Sequence, residues 1–135
     1  MKYLPLLFLP AFLFLSCGEQ EIVGIPPSQY ELKQNYPNPF LDTTVVEYGV
    51  PDVSPSAAPY IRLIVYDRFK VKQAVLIDHG DHPAGWFKVT WNGRGVNGFK
   101  VQAGIYYIEL QQVVFQGIFS PAEVYVVNRI AALKQ

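Results

Sequence analysis

The sequence predicts an all-β fold, a two-sheet antiparallel sandwich of about seven strands. Short apolar alternations of period two recur from Tyr30 to Arg129, and this stretch lacks the 3.6-residue period of an amphipathic helix. Eleven prolines and ten glycines among 135 residues indicate frequent turns. Half of the residues are hydrophobic and 15% are aromatic, which suffices for the packed core of one domain.

The first sixteen residues have the pattern of a signal peptide. Lys2 gives a minimal positive start, and Leu4–Leu15 is an apolar run interrupted only by two prolines. A helix that spans a bilayer core of roughly 30 Å needs roughly 20 residues, so the run is too short for a membrane span. Its end, Ser16-Cys17, resembles a lipobox, in which a small residue precedes a lipidated cysteine. We therefore predict a lipoprotein signal peptide over residues 1–16 and lipidation of Cys17.

The lone cysteine supports this prediction, because Cys17 has no partner for an internal disulfide bond. The alternative is an ordinary secreted protein whose cysteine lies near a conventional cleavage site. Gly18 follows the cysteine, which favours the outer membrane and leaves open whether the protein faces the periplasm or the cell surface. Residues 17–29 contain Pro26-Pro27 and few core-forming positions, so we predict a tether there.

Residues 30–129 are predicted to form the sandwich, with one row of side chains from each main strand pointing inward. The inward rows are Thr44, Val46, Tyr48 and Val50; Ile61, Leu63 and Val65; Phe87, Val89 and Trp91; and Tyr106, Ile108 and Leu110. Val71–Ile77 is a less regular strand, Glu123–Asn128 is the last strand, and residues 130–135 form a C-terminal tail. Asn92-Gly93 and Asn97-Gly98 supply residues suited to positive φ at turns, as Gly104 does before a strand.

The opening of this domain carries the most specific sequence motif. It consists of Asn35, Tyr36, Pro37, Asn38, Pro39 and Phe40. The motif resembles the start of the C-terminal sorting domains of the type IX secretion system, and of the related domain of the flagellar hook-capping protein. The resemblance continues at Trp91, Gly93, Gly98, Gly104 and Tyr106. It implies an immunoglobulin-like, fibronectin III-like sandwich in which these residues are structural.

Two proline residues shape the motif, because Pro37 and Pro39 fix φ and disfavour the α region in the residues before them. We expect a stiff, extended segment that Tyr36 and Phe40 pin over the edge of the sandwich. The chain departs from the family at Lys70, where a glycine is usual, so we expect a different turn there. We also expect that sorting activity is not retained, because no cargo accompanies the domain; a sorting or targeting module remains an alternative.

One short stretch has residue types suited to chemistry. Asp78, His79, Asp81 and His82 supply two carboxylates and two imidazoles within five residues, a set that binds Zn²⁺ in other proteins. A solvated turn before Pro83 explains the same residues, so we assign no metal and no cofactor and keep a metal-binding or enzymatic domain as an alternative. No motif for a phosphate loop, nucleophile elbow or metalloprotease helix occurs, and we expect no enzyme.

The segment from Val113 to Phe119 is unusually apolar for a connection between strands. One interpretation is that two extended strands bury these side chains within the fold. The other is that Val114, Phe115, Ile118 and Phe119 form a projecting tip that binds a partner protein, or a lipid surface. Eleven basic and eleven acidic residues balance, which gives no general attraction to nucleic acid. We therefore expect a non-catalytic outer-membrane lipoprotein whose domain binds an unidentified protein in the cell envelope.

Overall fold

The computed structural model describes residues 18–52 and 58–135. The predicted signal peptide and Cys17 lie outside the described residues. Eight strands follow one another, namely β1 Gln20–Ile22, β2 Glu31–Leu32, β3 Thr44–Val50, β4 Tyr60–Tyr66, β5 Lys72–His79, β6 Gly85–Trp91, β7 Gly104–Val114 and β8 Glu123–Lys134. They form two four-stranded antiparallel sheets, ordered β1-β6-β3-β2 and β5-β4-β7-β8. The predicted all-β sandwich is confirmed. Within these residues no helix is long and apolar enough to cross a membrane.

The core lies between the two sheets and contains the predicted inward rows. All four alternating rows of β3, β4, β6 and β7 are buried. Trp91 is 1% exposed, and its ring lies 5.3 Å from that of Phe40 and 5.5 Å from that of Tyr106. The inward-facing rows that the alternation predicts for these four strands are therefore confirmed.

Both ends of the described chain are more ordered than predicted. Gln20–Ile22, within the predicted tether, pairs with β6 as an edge strand, with Ile22 opposite Trp86. The predicted tail over residues 130–135 is instead the second half of β8, which continues to Lys134 because its residues pair along the full length of β7. Ala132 is fully buried there. Pairing across the sheet supplies an order that the local sequence does not indicate.

The motif segment is curved, with bends at residues 37–39, so the expected extended course is wrong. The peptide bonds before Pro37 and Pro39 are cis. Phe40 is 1% exposed and packs in the core as predicted. Tyr36 is 79% exposed, so its side chain does not hold the segment on the sandwich as predicted. The backbone N–H of Phe40 donates to the carbonyl of Leu133 at 2.9 Å, and that of Gln135 donates back to Phe40 at 2.9 Å. The segment thus covers the C-terminal half of the β8 edge.

Contrary to the expectation from the sequence, the turn between β4 and β5 does not change its geometry to suit Lys70. Lys70 has φ of 62°, the left-handed conformation that glycine adopts without cost, so the turn geometry does not depend on a glycine there. Gly93 and Gly98 have positive φ of 68° and 81°, as predicted. Their connection leads from β6 in one sheet to β7 in the other rather than joining neighbouring strands.

Candidate functional site

One end of the sandwich brings together residues from both sheets. β5 ends there at His79, and the loop that follows carries His82 to β6. Glu19 stands immediately before β1, on the opposite sheet. The ligand atoms of Glu19, His79 and His82 all lie within 4.8 Å of one another. We call these three residues the Glu-His-His cluster.

The position of His79 follows from strand alternation. His79 is opposite Ile61, whose side chain is fully buried in the core, whereas Asp78 is opposite Arg62 on the outer face. At the open end of the sandwich, His79 therefore faces the other sheet, and its Nδ1 lies 2.5 Å from Oε1 of Glu19. Its side chain is 41% exposed and that of Glu19 is 18% exposed.

His82 is the buried member of the cluster, with no exposed side-chain surface. Its backbone N–H donates to the carbonyl of Pro59 at 2.8 Å, and its Nδ1–H donates to the carbonyl of Pro83 at 2.7 Å. Its Nε2 lies 2.9 Å from Oε2 of Glu19 and 3.0 Å from the hydroxyl of Tyr48. The rings of His82 and Phe87 meet edge to face, with centroids 4.5 Å apart. The imidazole is therefore held in one orientation.

Burial and hydrogen bonding act in opposite directions on the pKa of Glu19. Burial alone would raise the pKa of Glu19, but the hydrogen bond donated by Tyr48 and the adjacent His82 hold that pKa below its ordinary value. Burial and the neighbouring Glu19 carboxylate raise the pKa of Tyr48 far above its ordinary value. Glu19 is thus an ionised carboxylate at neutral pH, and Tyr48 keeps its proton as a donor.

Of the four residues that the sequence singled out, two belong to the cluster and two lie outside it. His79 and His82 meet in the cluster, but Asp78 accepts hydrogen bonds from Tyr60 at 2.5 Å and from Arg62 at 3.2 Å on the outer face. Asp81 is exposed, has φ of 51° and does not belong to the cluster. Sequence reasoning missed Glu19, because the stretch around it carries no strand pattern and only pairing with β6 places it.

The segment between β7 and β8 forms a second feature at the same end. We call residues 115–119 the β7–β8 tip. Ile118 is 95% exposed, Phe119 is 98% exposed and Phe115 is 63% exposed, whereas Val114 is half-buried at the end of β7. The Phe115 ring packs edge-on against Tyr60, with centroids 5.6 Å apart. Of the two interpretations of this segment, its exposure favours the projecting tip over burial on both faces.

The tip and the Glu-His-His cluster adjoin each other. Tyr60 begins β4 beside Val113 of β7, and the preceding Pro59 accepts the hydrogen bond from His82. An open groove of about 520 Å³ lies between the β5–β6 loop and the tip, lined by residues including Tyr60, Asp81 and Phe115. Glu19 and the tip therefore lie at the same end of the sandwich.

The apolar surface continues from the tip along the start of β8. Val124 and Val126 are 48% and 53% exposed, and they share the outer face with Val113 and Gln111, their partners on β7. In the ranges the structure describes, no strand pairs with the other side of β8. Its first half is thus an uncovered edge, in contrast to the half that Phe40 covers.

Comparison with known proteins supports the fold. No protein-family model matches the chain, and neither does any curated protein. Among solved structures, the chain is similar to dimeric latent PorU from Porphyromonas gingivalis, with a TM-score of 0.54 and 15% sequence identity. The match covers 84% of this chain and 10% of that one. At this identity the likeness concerns the fold, and the chain corresponds to one tenth of that protein.

Proposed function

We propose that this protein is a non-catalytic lipoprotein of the outer membrane whose immunoglobulin-like domain binds a protein partner through the β7–β8 tip. The observation that carries the proposal is the exposure of Ile118 and Phe119, 95% and 98%, at the end of the sandwich where the N-terminal segment also lies. Large apolar side chains at such exposure form the buried centre of interfaces when a partner covers them.

The position of Glu19 supports a partner at the membrane. Cys17 precedes Glu19 by two residues, so the chain between their Cα atoms spans roughly 7 Å at most. Acyl chains on Cys17 would therefore hold this end of the sandwich close to the bilayer. The partner that fits is a protein embedded in the same membrane or assembled on it.

Charge favours a protein over the lipid surface as the occupant. Residues 111–128 contain no Lys or Arg, and their one ionisable acid is Glu123. Binding to anionic lipid headgroups relies on basic residues near the surface. Glu123 accepts a hydrogen bond from Gln116 at 2.8 Å and another from Tyr125, which gives the base of the tip a polar rim. An apolar centre with a polar rim is typical of protein interfaces.

A charge-insertion experiment tests the surface. The Phe115→Glu, Phe119→Glu double variant is expected to fold and reach membranes, and to lose the partner captured by crosslinking and co-purification from native membranes. The control is Phe69→Glu, Phe99→Glu, which inserts the same charges at side chains that are 71% and 72% exposed on other loops. Equal recovery of the partner by both variants contradicts the proposal, as does unfolding of the tip variant in a thermal melt.

Vesicles separate the lipid alternative from the protein partner. A form that begins at Gly18, without the signal peptide and the lipidated cysteine, is mixed with protein-free vesicles of an outer-membrane lipid composition and floated through a density gradient. We expect it to stay unbound. Flotation that the tip substitutions abolish would assign the tip to lipid and contradict a protein partner.

The lipid anchor has its own test. The Cys17→Ser variant is expected to accumulate as an unprocessed precursor or to appear in the soluble fraction, because no other cysteine can accept a lipid. Fractionation and mass spectrometry of the mature N-terminus measure this. A variant that is processed and membrane-bound like the wild type contradicts the anchor.

A type IX secretion-related sorting module is the second candidate, which the motif over residues 35–40 favours. If sorting is retained, a passenger protein fused before residue 30 is exported in a type IX-competent host and retained in a host without that system. Equal distribution in both hosts eliminates it.

A further inference from the structure

We propose that Glu19, His79 and His82 bind a divalent cation of the Zn²⁺ class, and that this cation fastens β1 to the sandwich. The site is independent of the lipid anchor and of the β7–β8 tip. Its ligands come from both sheets, with Glu19 before β1 on one side and the two histidines around the β5–β6 loop on the other.

The first argument is that the ligand atoms of the three side chains converge. His82 uses its Nδ1–H to donate to the carbonyl of Pro83, so its Nε2 is the ring nitrogen that faces the Glu19 carboxylate, 2.9 Å from Oε2. A second imidazole meets the other oxygen of Glu19 at 2.5 Å. Three ligand atoms therefore face one another across a small space, where a bound cation would take the place of the ring protons that these contacts otherwise need.

The second argument is the ligand set and its spacing. Two imidazole nitrogens and a carboxylate oxygen are the ligands of many three-residue zinc sites, whereas Ca²⁺ and Mg²⁺ prefer oxygen alone. Ligands of tetrahedral zinc, at about 2.0–2.1 Å from the metal, stand about 3.4 Å apart. The Glu19 contacts of 2.5 and 2.9 Å need to open by less than about 1 Å to meet that spacing.

The surroundings of the ligands are the third argument. In zinc proteins a ligating histidine donates its other N–H to a carbonyl or carboxylate, and a ligating carboxylate accepts a further hydrogen bond. His82 does the first through Pro83, and Glu19 does the second through Tyr48. The 41% exposed side of His79 leaves a direction from which water completes the coordination.

A bound cation would hold β1 more firmly on the sandwich. β1 is only three residues long and pairs with one strand, β6. A cation held by the residue just before it adds a link to the opposite sheet. Binding should therefore protect β1 from opening while leaving the rest of the sandwich unchanged.

Metal titration of the purified full-length protein tests the site. After treatment with a chelator, the wild type is expected to bind one equivalent of Zn²⁺, measured by calorimetry and elemental analysis. Glu19→Gln and His79→Gln are expected to weaken binding more than about tenfold. The matched controls Asp78→Asn and Asp81→Asn alter acidic residues of the same region outside the cluster and should bind as the wild type does.

Two further readouts separate this site from other binding. Co²⁺ in the same position is expected to give ligand-field absorption without a thiolate charge-transfer band, because the proposed ligands include no sulfur. Hydrogen exchange of the β1 amides should slow when Zn²⁺ is added, in the wild type and not in His79→Gln. His79 is partly exposed, so its substitution preserves the fold, which a thermal melt verifies.

Several outcomes overturn the proposal. They are absence of stoichiometric binding in the wild type, unchanged affinity in both ligand variants, equal loss in the aspartate controls, or a thiolate band that assigns the metal to Cys17. Binding with the expected variant pattern but without slower exchange in β1 would contradict the fastening role.

Discussion

The side-chain amide of Asn35 donates a hydrogen bond of 2.9 Å to the hydroxyl of Thr44 inside the sandwich. Thr44 in turn donates to the carbonyl of Pro37 at 2.8 Å. Asn35 is 2% exposed and Thr44 is not exposed. Two buried polar side chains therefore close the loop that the proline motif forms, and they satisfy a carbonyl that the curved backbone leaves free of strand pairing.

Each member of this pair should contribute to stability. Asn35→Ala removes the donor to Thr44, and Thr44→Val removes the donor to Pro37, so we expect each to lower the free energy of unfolding by about 1–3 kcal/mol. A double-mutant cycle with Thr44→Val, followed by urea denaturation, is expected to give a coupling energy of about 0.5–3 kcal/mol. Additive losses would show that the two side chains act separately.

The two tryptophans should differ in their contribution to stability. Trp91 is 1% exposed, and its Nε1–H donates to the carbonyl of Arg94 at 3.0 Å, so Trp91→Ala is expected to cost about 3–5 kcal/mol. Trp86 is half-buried under Lys33, and Trp86→Ala should cost about 1–2 kcal/mol. Thermal or urea denaturation measures both, and similar losses would contradict the placement of Trp91 in the core.

Lys70 offers a stabilising substitution. Its φ of 62° costs a residue with a Cβ about 1–2 kcal/mol in the folded state. A glycine avoids this cost but loses more conformational freedom on folding, which costs about 0.5–1 kcal/mol. Lys70→Gly should therefore raise the free energy of unfolding by about 0.5–1 kcal/mol. The Asp67 carboxylate still accepts from the N–H groups of Phe69 and Val71. A measured loss of stability would contradict the left-handed geometry.

Gly49 tests whether the segment after β1 packs on the sandwich. A Cβ at this position would lie 2.7 Å from Cγ of Pro27 and 3.0 Å from the Trp86 ring, so Gly49→Ala must displace one of them. We expect a loss of about 1–3 kcal/mol and faster proteolysis near Pro27. Gly24→Ala is the control, since its Cβ would meet nothing nearer than 3.9 Å. Equal proteolysis of both variants would contradict the packing.

Local pattern predicted the strands that carry their own alternation. The rows through Val46, Leu63, Val89 and Ile108 follow a period of two, and each is buried as predicted. β1 and the end of β8 escaped prediction because their order comes from pairing with β6 and β7 rather than from an apolar period. Similarly, the sequence showed the two histidines of the cluster, but Glu19 lies sixty residues away and is brought there by the fold.

The parallel bridge between Phe40 and Lys134 has a consequence for the order of events during synthesis. It joins an early loop to the last strand. The Gln34 side chain also donates to the carbonyl of Ala131, and the backbone N–H of Leu133 donates to the side-chain oxygen of Asn38. Contacts of such long sequence separation form late and slowly, because the intervening chain must first be brought together. β8 completes the second sheet, so we expect the sandwich to close only after residues 123–134 have been synthesised.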